Sequence, residues 1–580
     1  MCEHVNLTRD YLTAKIDLVF ATEQWRHFVI SATHDDGSIV VDRRRLEMCV
    51  FFSIADELRS GDLAVEGSDY HADYRKQLLT WSECEPYVTE YCREVGVADT
   101  AAGFVDELRE ALAAAADHLD STYLTNTALT IDESGEPCLK KPKPTQPSPS
   151  AQALEAAVLE RMPDRHILEI LAATDAECGW TRHFHPISGS EPKLDDPTRR
   201  YILVTFAYGS NLGPAQAARH LDGITSHMLG WANRRHATAE TLDAASADIA
   251  NAYNRTSLAH IWGDPKIAAV DGTQYELLNE SLLAEYHIRY GGYGAIAFRL
   301  VSDTYIALFS HFIGCGVWEG AYLIQALMEN KSDIQPDTIH GDTQSQNLPI
   351  FGLAHLLGVK LMPRIRGFKH LRFYRPTPDA VYEHINALFT HDVDWTLIEN
   401  EWPTLMQVVV SIRQGAISSA TLLRKLSTYS RHNRLYQVFR EVGYVNRTEF
   451  LLTLLADAGL RAQITAATNK AESSHRFAGF FWFGGDELAE ADPEEMQKRI
   501  RYNHLIANAA ALSNVHDMTA VLNQLDSEGF PMHLDDIAAL SPHITSPIKR
   551  FGDYYVPNEL EPIPVEPLTL TNESDEYQAN

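Results

Sequence analysis

The sequence predicts a multidomain α+β/α chain in which one mixed β-sheet domain is flanked and interrupted by helical segments. Three observations predict it. The 580 residues exceed what one ordinary core can organise. Apolar runs with strand-like composition, separated by turn residues, cluster between residues 266 and 376. Helical periodicity dominates before that region and returns from about 377 to 462.

Near the N-terminus, "DGSIVVDRRRLEMCVFFSIADELRSGDLAVEG" (36–67) suggests a short strand, a helix and a turn. "GFVDELREALAAAADHLDSTYL" (103–124) is Ala-rich with apolar i, i+3, i+4 spacing, so it reads as a helix. Residues 133–150, "ESGEPCLKKPKPTQPSPS", read as a linker, because Pro, Ser and Lys build no core. The stretch 151–262 is mostly helical.

At residue 266 the texture changes. "KIAAVDGTQ" reads as a short strand ending in Asp-Gly. "IRYGGYGAIAFRLVSDTYIALFSHFIG" (288–314) reads as an antiparallel hairpin around "SDT". "GVWEGAYLIQALMEN" (316–330) is an amphipathic helix, "DTIHGDT" a strand, "NLPIFGLAHLLG" a helix closed by Gly358, and "VKLMPRI" a strand. The order is β-β-β-α-β-α-β. A helix at 464–485 follows a helical insertion. The expected boundaries are 1–132, linker 133–150, 151–262, first part of the sheet domain 263–376, insertion 377–462, last part with C-terminal helices 463–556, and an acidic disordered tail 557–580.

Apolar residues make up 45% and charged residues 22%, the balance of a soluble globular protein, and the formal net charge is -30. Taken whole, that opposes nucleic-acid binding, which needs Lys and Arg against phosphates. The charge is uneven, however. "KLMPRIRGFKHLRFYRP" (360–376) carries six cations and no acid, and an acidic protein can own a basic groove. The seven cysteines form no CxxC pair, so neither a zinc ribbon nor a disulfide framework is indicated. This is a reduced, cytoplasmic pattern. The N-terminus has no signal-peptide core, and no apolar run reaches the membrane-spanning length of about 18 residues.

Asp271 and Asp342 each close a predicted strand, and Glu472 lies on the helix after the insertion. Strand ends and a packed helix can bring three carboxylates together. Such a set suits Mg²⁺, a hard cation that takes oxygen ligands. Two ions roughly 3.5–4 Å apart can activate a water or a 3′-hydroxyl and stabilise a leaving oxygen. His340 reads as a structural histidine, with contact to the metal site as the alternative.

The element order, with its late helical Glu, resembles the RNase H-like fold of DDE transposases. "AAVDGTQ", "RYGGYG", "VSDTYIALFSHFI", "SDIQPDTIHGDTQSQ", "FGLAHLLGVKLMPRIR", "ATNKAE" and "DPEEMQKRIRYN" are similar to motifs of the Tn3-family transposases. So are "VDRRRLEMCVFFSIADELRSGDLAVEGSDY", "GSNLGPAQAARHL" and "LSPHITSPIKRFGDY", so the resemblance covers roughly residues 25–555. It implies a catalytic and metal-binding triad of Asp271, Asp342 and Glu472 with two Mg²⁺ ions, Mn²⁺ being able to substitute. It further implies cleavage at transposon inverted-repeat ends, transfer of the 3′-OH to target DNA in replicative transposition, a homodimer on DNA, and association with the bacterial nucleoid. The helical segments before the sheet domain would then serve DNA binding and dimerisation. Expected DNA contacts are Arg289, Gln344, Lys360, Arg364, Arg366, Lys369, Arg372 and Lys470, with Phe368, Phe373 and Tyr374 interleaved in the basic run. Family members are usually longer, so the chain is expected to lack much of the N-terminal region that helps bind the ends. The competing readings are a catalytically inactive DNA-binding or regulatory relative and another RNase H-like nuclease.

Overall fold

The computed structural model describes the chain except residues 1–9, 15–16, 19, 35, 61–62, 69–72, 141–145, 191–192, 278–284, 288–291, 315–318, 342–345, 420–421, 424–432, 486, 489, 553, 558, 560 and 571–580. Two compact units form: residues 1–107 with 394–443, and residues 108–393 with 444–580.

In the first unit, strands Tyr11–Ala14, Ile39–Asp42 and Ile30–Thr33 make an antiparallel sheet. Val29, Val41, Leu46 and Cys49 form its core. Helix Trp81–Val95 starts on a Thr80/Glu83 capping box, which satisfies orphan N–H groups of the first turn. It packs on helix Trp395–Arg413, where the Leu79 N–H donates to Ser411 Oγ at 3.0 Å and Gln407 Nε2 donates to the Leu79 carbonyl at 2.7 Å.

The second unit is built on a seven-stranded mixed sheet. Its strands are β1 (Ile267–Leu277), β2 (Glu285–His287), β3 (Gly292–Ser302), β4 (Ala307–Gly314), β5 (Thr338–His340), β6 (Lys360–Leu361) and β7 (Glu487–Leu488). The main order is β4-β3-β1-β5-β6, with β2 beside β3 and β7 beside β1. The β4, β3 and β1 pairings are antiparallel; β5 and β6 join in parallel. Between strands run α1 (Glu319–Glu329) and α2 (Leu348–Leu356). Gly358, at φ 74°, follows α2 in the left-handed conformation that glycine adopts without Cβ strain. Helices α3 (Ala458–Phe480) and α4 (Pro493–Ser527) complete the unit. Helix α4 is buried almost continuously from Ile500 to Thr519, so it is a central element rather than a surface one.

The expected strands and helices occur in the expected order with two strands, β2 and β7, added to the sheet, and the "SDT" turn closes the β3–β4 hairpin, with Ser302 N–H donating to the Ile306 carbonyl at 2.8 Å. Three readings change. Asp271 does not end β1: the strand runs on to Leu277 because its antiparallel ladder with β3 continues through Gly272↔Phe298 to Glu276↔Gly294. The expected linker begins as a hairpin, Leu129–Ile131 with Pro137–Leu139, whose turn is held by Asp132 accepting from the Ser134 and Glu136 N–H groups. The tail expected to be disordered from residue 557 lies against the protein as far as Leu570. Ile563 is buried, and Asn523 brackets the segment by donating to the Pro567 carbonyl and accepting from the Thr569 N–H, both at 2.9 Å. An extended Pro-rich segment needs no internal hydrogen bonds, and its spaced apolar residues supply the anchor. Among the described residues, no single helix is long and apolar enough to cross a membrane.

Candidate active site

Asp271 stands mid-strand on β1, at the point where the described pairing with β5 has just ended. That parallel register runs Thr338↔Ile267, Ile339↔Ala268, His340↔Ala269. On the other side Asp271 lies opposite Arg299 of β3. Helix α3 crosses these strands, with Ala467 and Ala471 packed on Ala269, Val301 and Ala307. Small residues there let helix and sheet approach closely.

His475, one turn beyond Ala471 on the same buried face, makes the polar contact. Its Nδ1 lies 2.6 Å from Thr273 Oγ1 and 3.3 Å from Arg299 Nη1. Since the guanidinium can only donate, Nδ1 accepts and Nε2 carries the proton. Nε2–H donates to the Asp271 carbonyl at 3.1 Å and stands 4.0 Å from Asp271 Oδ2. Burial pushes the His475 imidazole down to about 3, helped by the Arg299 charge, so the ring is neutral near pH 7. Arg299 is only 1% exposed; its Nη2 donates to Asn503 Oδ1 of α4 at 2.9 Å.

The Asp271 side chain is 30% exposed. Glu472 is exposed and precedes His475 by three residues on α3. Residues at i and i+3 are neighbours on a helix, with about 5–6 Å between Cβ atoms. Asp342 lies outside the described residues, as do Arg289 and Gln344. Among the described residues, no three His, Cys, Asp or Glu side chains gather at metal-binding distance. His340 is buried; its Nδ1 donates to the Met362 carbonyl at 3.1 Å while its Nε2 has no partner among the described residues, and burial holds its basicity down.

Lys470 turns away from this surface. Its Nζ donates to the Trp262 carbonyl (2.8 Å), the Asp303 carbonyl (2.8 Å) and Asp303 Oδ1 (2.7 Å). An ammonium has three N–H bonds, and all three are used inside the protein. Its assignment to DNA is therefore replaced by a structural one.

The basic run leaves β6 beside the same sheet edge. Arg364 N–H donates to the Gly341 carbonyl at 2.8 Å, and the Arg364 carbonyl accepts from Gln346 Nε2 at 3.1 Å. Lys360, Arg366, Lys369 and Arg372 are exposed and Arg364 half-buried. Arg372 Nη1 donates to His391 Nε2 at 2.8 Å. Phe368, Phe373 and Tyr374 are core residues, Tyr374 stacking on Tyr444 with centroids 3.9 Å apart. The aromatics expected to interleave with these cations at a DNA surface are therefore not available for base stacking.

A family model described as the Tn3 transposase DDE domain matches residues 169–554, which contain the sheet, both carboxylate-bearing elements, the basic run and α4. The chain belongs to this family. The transposase for transposon Tn3926 of Escherichia coli is 28% identical over 544 residues, 92% of this chain and 54% of that protein. The transposase for transposon Tn501 of Pseudomonas aeruginosa is 28% identical over 547 residues, again 92% and 54%. For the transposase for transposon gamma-delta of Escherichia coli strain K12 the figures are 27% over 548 residues, 92% and 53%. The chain spans about half the length of these curated relatives. In this Tn3-family DDE domain, sequence reasoning passed over Thr273, Arg299 and His475. One signal was present: Arg299 is the sole charge in the apolar run "AIAFRLV", and a lone cation in a buried strand needs a reason.

Proposed function

We propose that this chain supplies the catalytic part of a Mg²⁺-dependent DNA transposase, cutting at transposon inverted-repeat ends and joining the 3′-OH to target DNA in replicative transposition. The sheet order, antiparallel then parallel about β1, supports an RNase H-like reading of the domain. The observation that carries the proposal is the union of Asp271 and the Glu472-bearing helix on one sheet, inside the region matched by the DDE family. Asp342 follows His340 by two residues, as Asp271 follows Ala269, the partner of His340.

The donor set of Asp271, Asp342 and Glu472 is carboxylate oxygen alone, which fits Mg²⁺ or Mn²⁺ and suits softer metals poorly. When bound, two such ions would activate the attacking oxygen and offset charge on the leaving one. The chain's own residues do the rest. Lys360, Arg364, Arg366, Lys369 and Arg372 offer cations for backbone phosphates, and Arg364 sits against the strand end that precedes Asp342. Transposition joins two ends, so the working form is proposed to be a homodimer on DNA, in the cytoplasm at the nucleoid. Of the domain limits expected from the sequence, 263–376 and 463–556 for the two parts of the sheet domain stand as part of the same proposal.

The test is cleavage and strand transfer with Mg²⁺ and transposon-end DNA, comparing the protein with Asp271→Ala, Asp342→Ala and Glu472→Gln. Each substitution should lower turnover by at least about a hundredfold while leaving end binding intact. If Asp342→Ala matches the unmodified chain, the enzyme reading fails. Turnover on random duplex equal to that on end DNA would favour an RNase H-like nuclease instead.

A further inference from the structure

Arg299 lies on strand β3, directly across the ladder from Asp271, and is almost fully buried. Its hydrogen-bond partners are neutral: His475 and Asn503. Among the described residues its Nε has none, and no ion pair joins it to a carboxylate. A guanidinium stays charged at any pH a protein survives. A buried charge with no counter-ion among the described residues is costly, so this position calls for an anion nearby or a task that uses the cation.

The partners of Arg299 point to the task. Through Nη1 it donates to His475, and His475 donates through its opposite nitrogen to the Asp271 carbonyl. Through Nη2 it grips Asn503, whose Nδ2 donates to the Gly209 carbonyl at 3.1 Å and the Ala478 carbonyl at 3.0 Å. Thr273 closes the set from β1. The chain of bonds thus ties four elements, β1, β3, α3 and α4, around one carboxylate-bearing strand and one carboxylate-bearing helix.

We propose that Arg299, His475 and Thr273 are positioning residues for the carboxylate site: they lock the Glu472 helix onto the Asp271 strand, and the buried guanidinium offsets the charge of Asp271, opposite it in the ladder. This rests on the reading of Asp271 and Glu472 as metal ligands. None of the three is proposed to touch substrate. Their loss should loosen cation binding before it alters DNA affinity, because outer partners of a metal site typically change affinity by about 10–100-fold.

The experiment measures Mn²⁺ binding to the full chain from the electron paramagnetic resonance signal of free Mn²⁺, without DNA, alongside nicking of end DNA and DNA affinity. Thr273→Val removes only a hydroxyl at a partly exposed site, so it is the main variant; His475→Ala and Arg299→Met are the stronger ones. Thr273→Val should weaken Mn²⁺ binding about tenfold and slow nicking, with DNA affinity and melting temperature near those of the unmodified chain. Thr273→Ser, which keeps the hydroxyl, should restore binding to within about twofold. Asp271→Ala should abolish Mn²⁺ binding. If Asp271→Ala abolishes binding while Thr273→Val and His475→Ala bind Mn²⁺ as tightly as the unmodified chain, the positioning proposal is overturned. If Asp271→Ala still binds Mn²⁺ normally, the assignment of the metal site itself falls, which is a separate result.

Discussion

Lys470 and its near neighbour Glu472 show how one motif divides its labour. Lys470 is 14% exposed and spends every donor on Trp262 and Asp303. Breaking one partner of a buried pair typically costs about 3–5 kcal/mol. Lys470→Met should therefore lower stability to urea by roughly that much and leave the salt dependence of DNA binding unchanged. Arg366→Ala and Lys369→Ala should do the reverse. Each is exposed, so stability should hold within about 0.5 kcal/mol, while the slope of log affinity against log salt should shrink by about one per lost phosphate contact. A drop in that slope for Lys470→Met, or none for both surface variants, would contradict the division. No rule of composition separates these cations. Arg366 and Lys369 were read from the basic run and Lys470 from the "ATNKAE" motif, and only the hydrogen-bond partners, which come from residues far apart in the chain, tell an interior lysine from a surface one. His475 escaped notice for the same reason: its role is defined by Thr273, Arg299 and Asp271, on two strands distant in sequence.

At the scale of elements, apolar patterning was readable because each strand and helix must bury a face. The β3–β4 hairpin, α1 and α2 follow from their own residues. Element ends were less readable, since pairing sets them. β1 passes through "Asp-Gly" because β3 supplies a ladder there, and the 557–570 segment is held because Asn523 and a pocket for Ile563 exist elsewhere. Close approach between elements is also invisible until they meet. A Cβ on Gly209, at the end of helix Pro197–Gly209, would lie 2.7 Å from the Tyr502 backbone of α4. Backbone cannot move aside like a side-chain tip. Gly209→Ala should therefore cost about 1–3 kcal/mol and disturb the Asn503 contact to the Gly209 carbonyl. Differential scanning calorimetry checks the loss; an unchanged melting temperature would mean that the two helices are not so close.

Over the whole molecule, several histidines are kept neutral by burial. His311 and His355 are pushed down to about 4, His504 and His543 to about 3, from an ordinary value of 6.5. Desolvation is the main cause. Arg501 adds to it at His311, Arg299 and Arg501 at His504, and Arg476 at His543. The unfolded chain binds protons at these sites below pH 6.5 that the folded chain refuses. Stability should thus be insensitive to these groups above pH 6.5 and fall as pH drops from 6.5 towards 4. At pH 5 the loss should be about 2 kcal/mol for each such histidine. Urea midpoints at pH 7 and pH 5 measure it, and equal midpoints would show that these rings titrate freely. The net charge of -30 disguised the basic run 360–376 in the same way: a total says little about where the cations stand.

Helix α4 holds a further consequence. At 35 residues and about 1.5 Å per residue it is roughly 50 Å long. Its first half packs Met496 and Ile500 on Tyr275, Trp482 and Leu488. Its later half holds the Pro542 and Ile544 carbonyls through Asn514 and the C-terminal segment through Asn523. Because residues 500–519 are enclosed on every side, their amide hydrogens can meet solvent only when the unit opens as a whole. In deuterium exchange this stretch should be the last to lose its protons, and its rate a direct readout of the global opening free energy of the second unit.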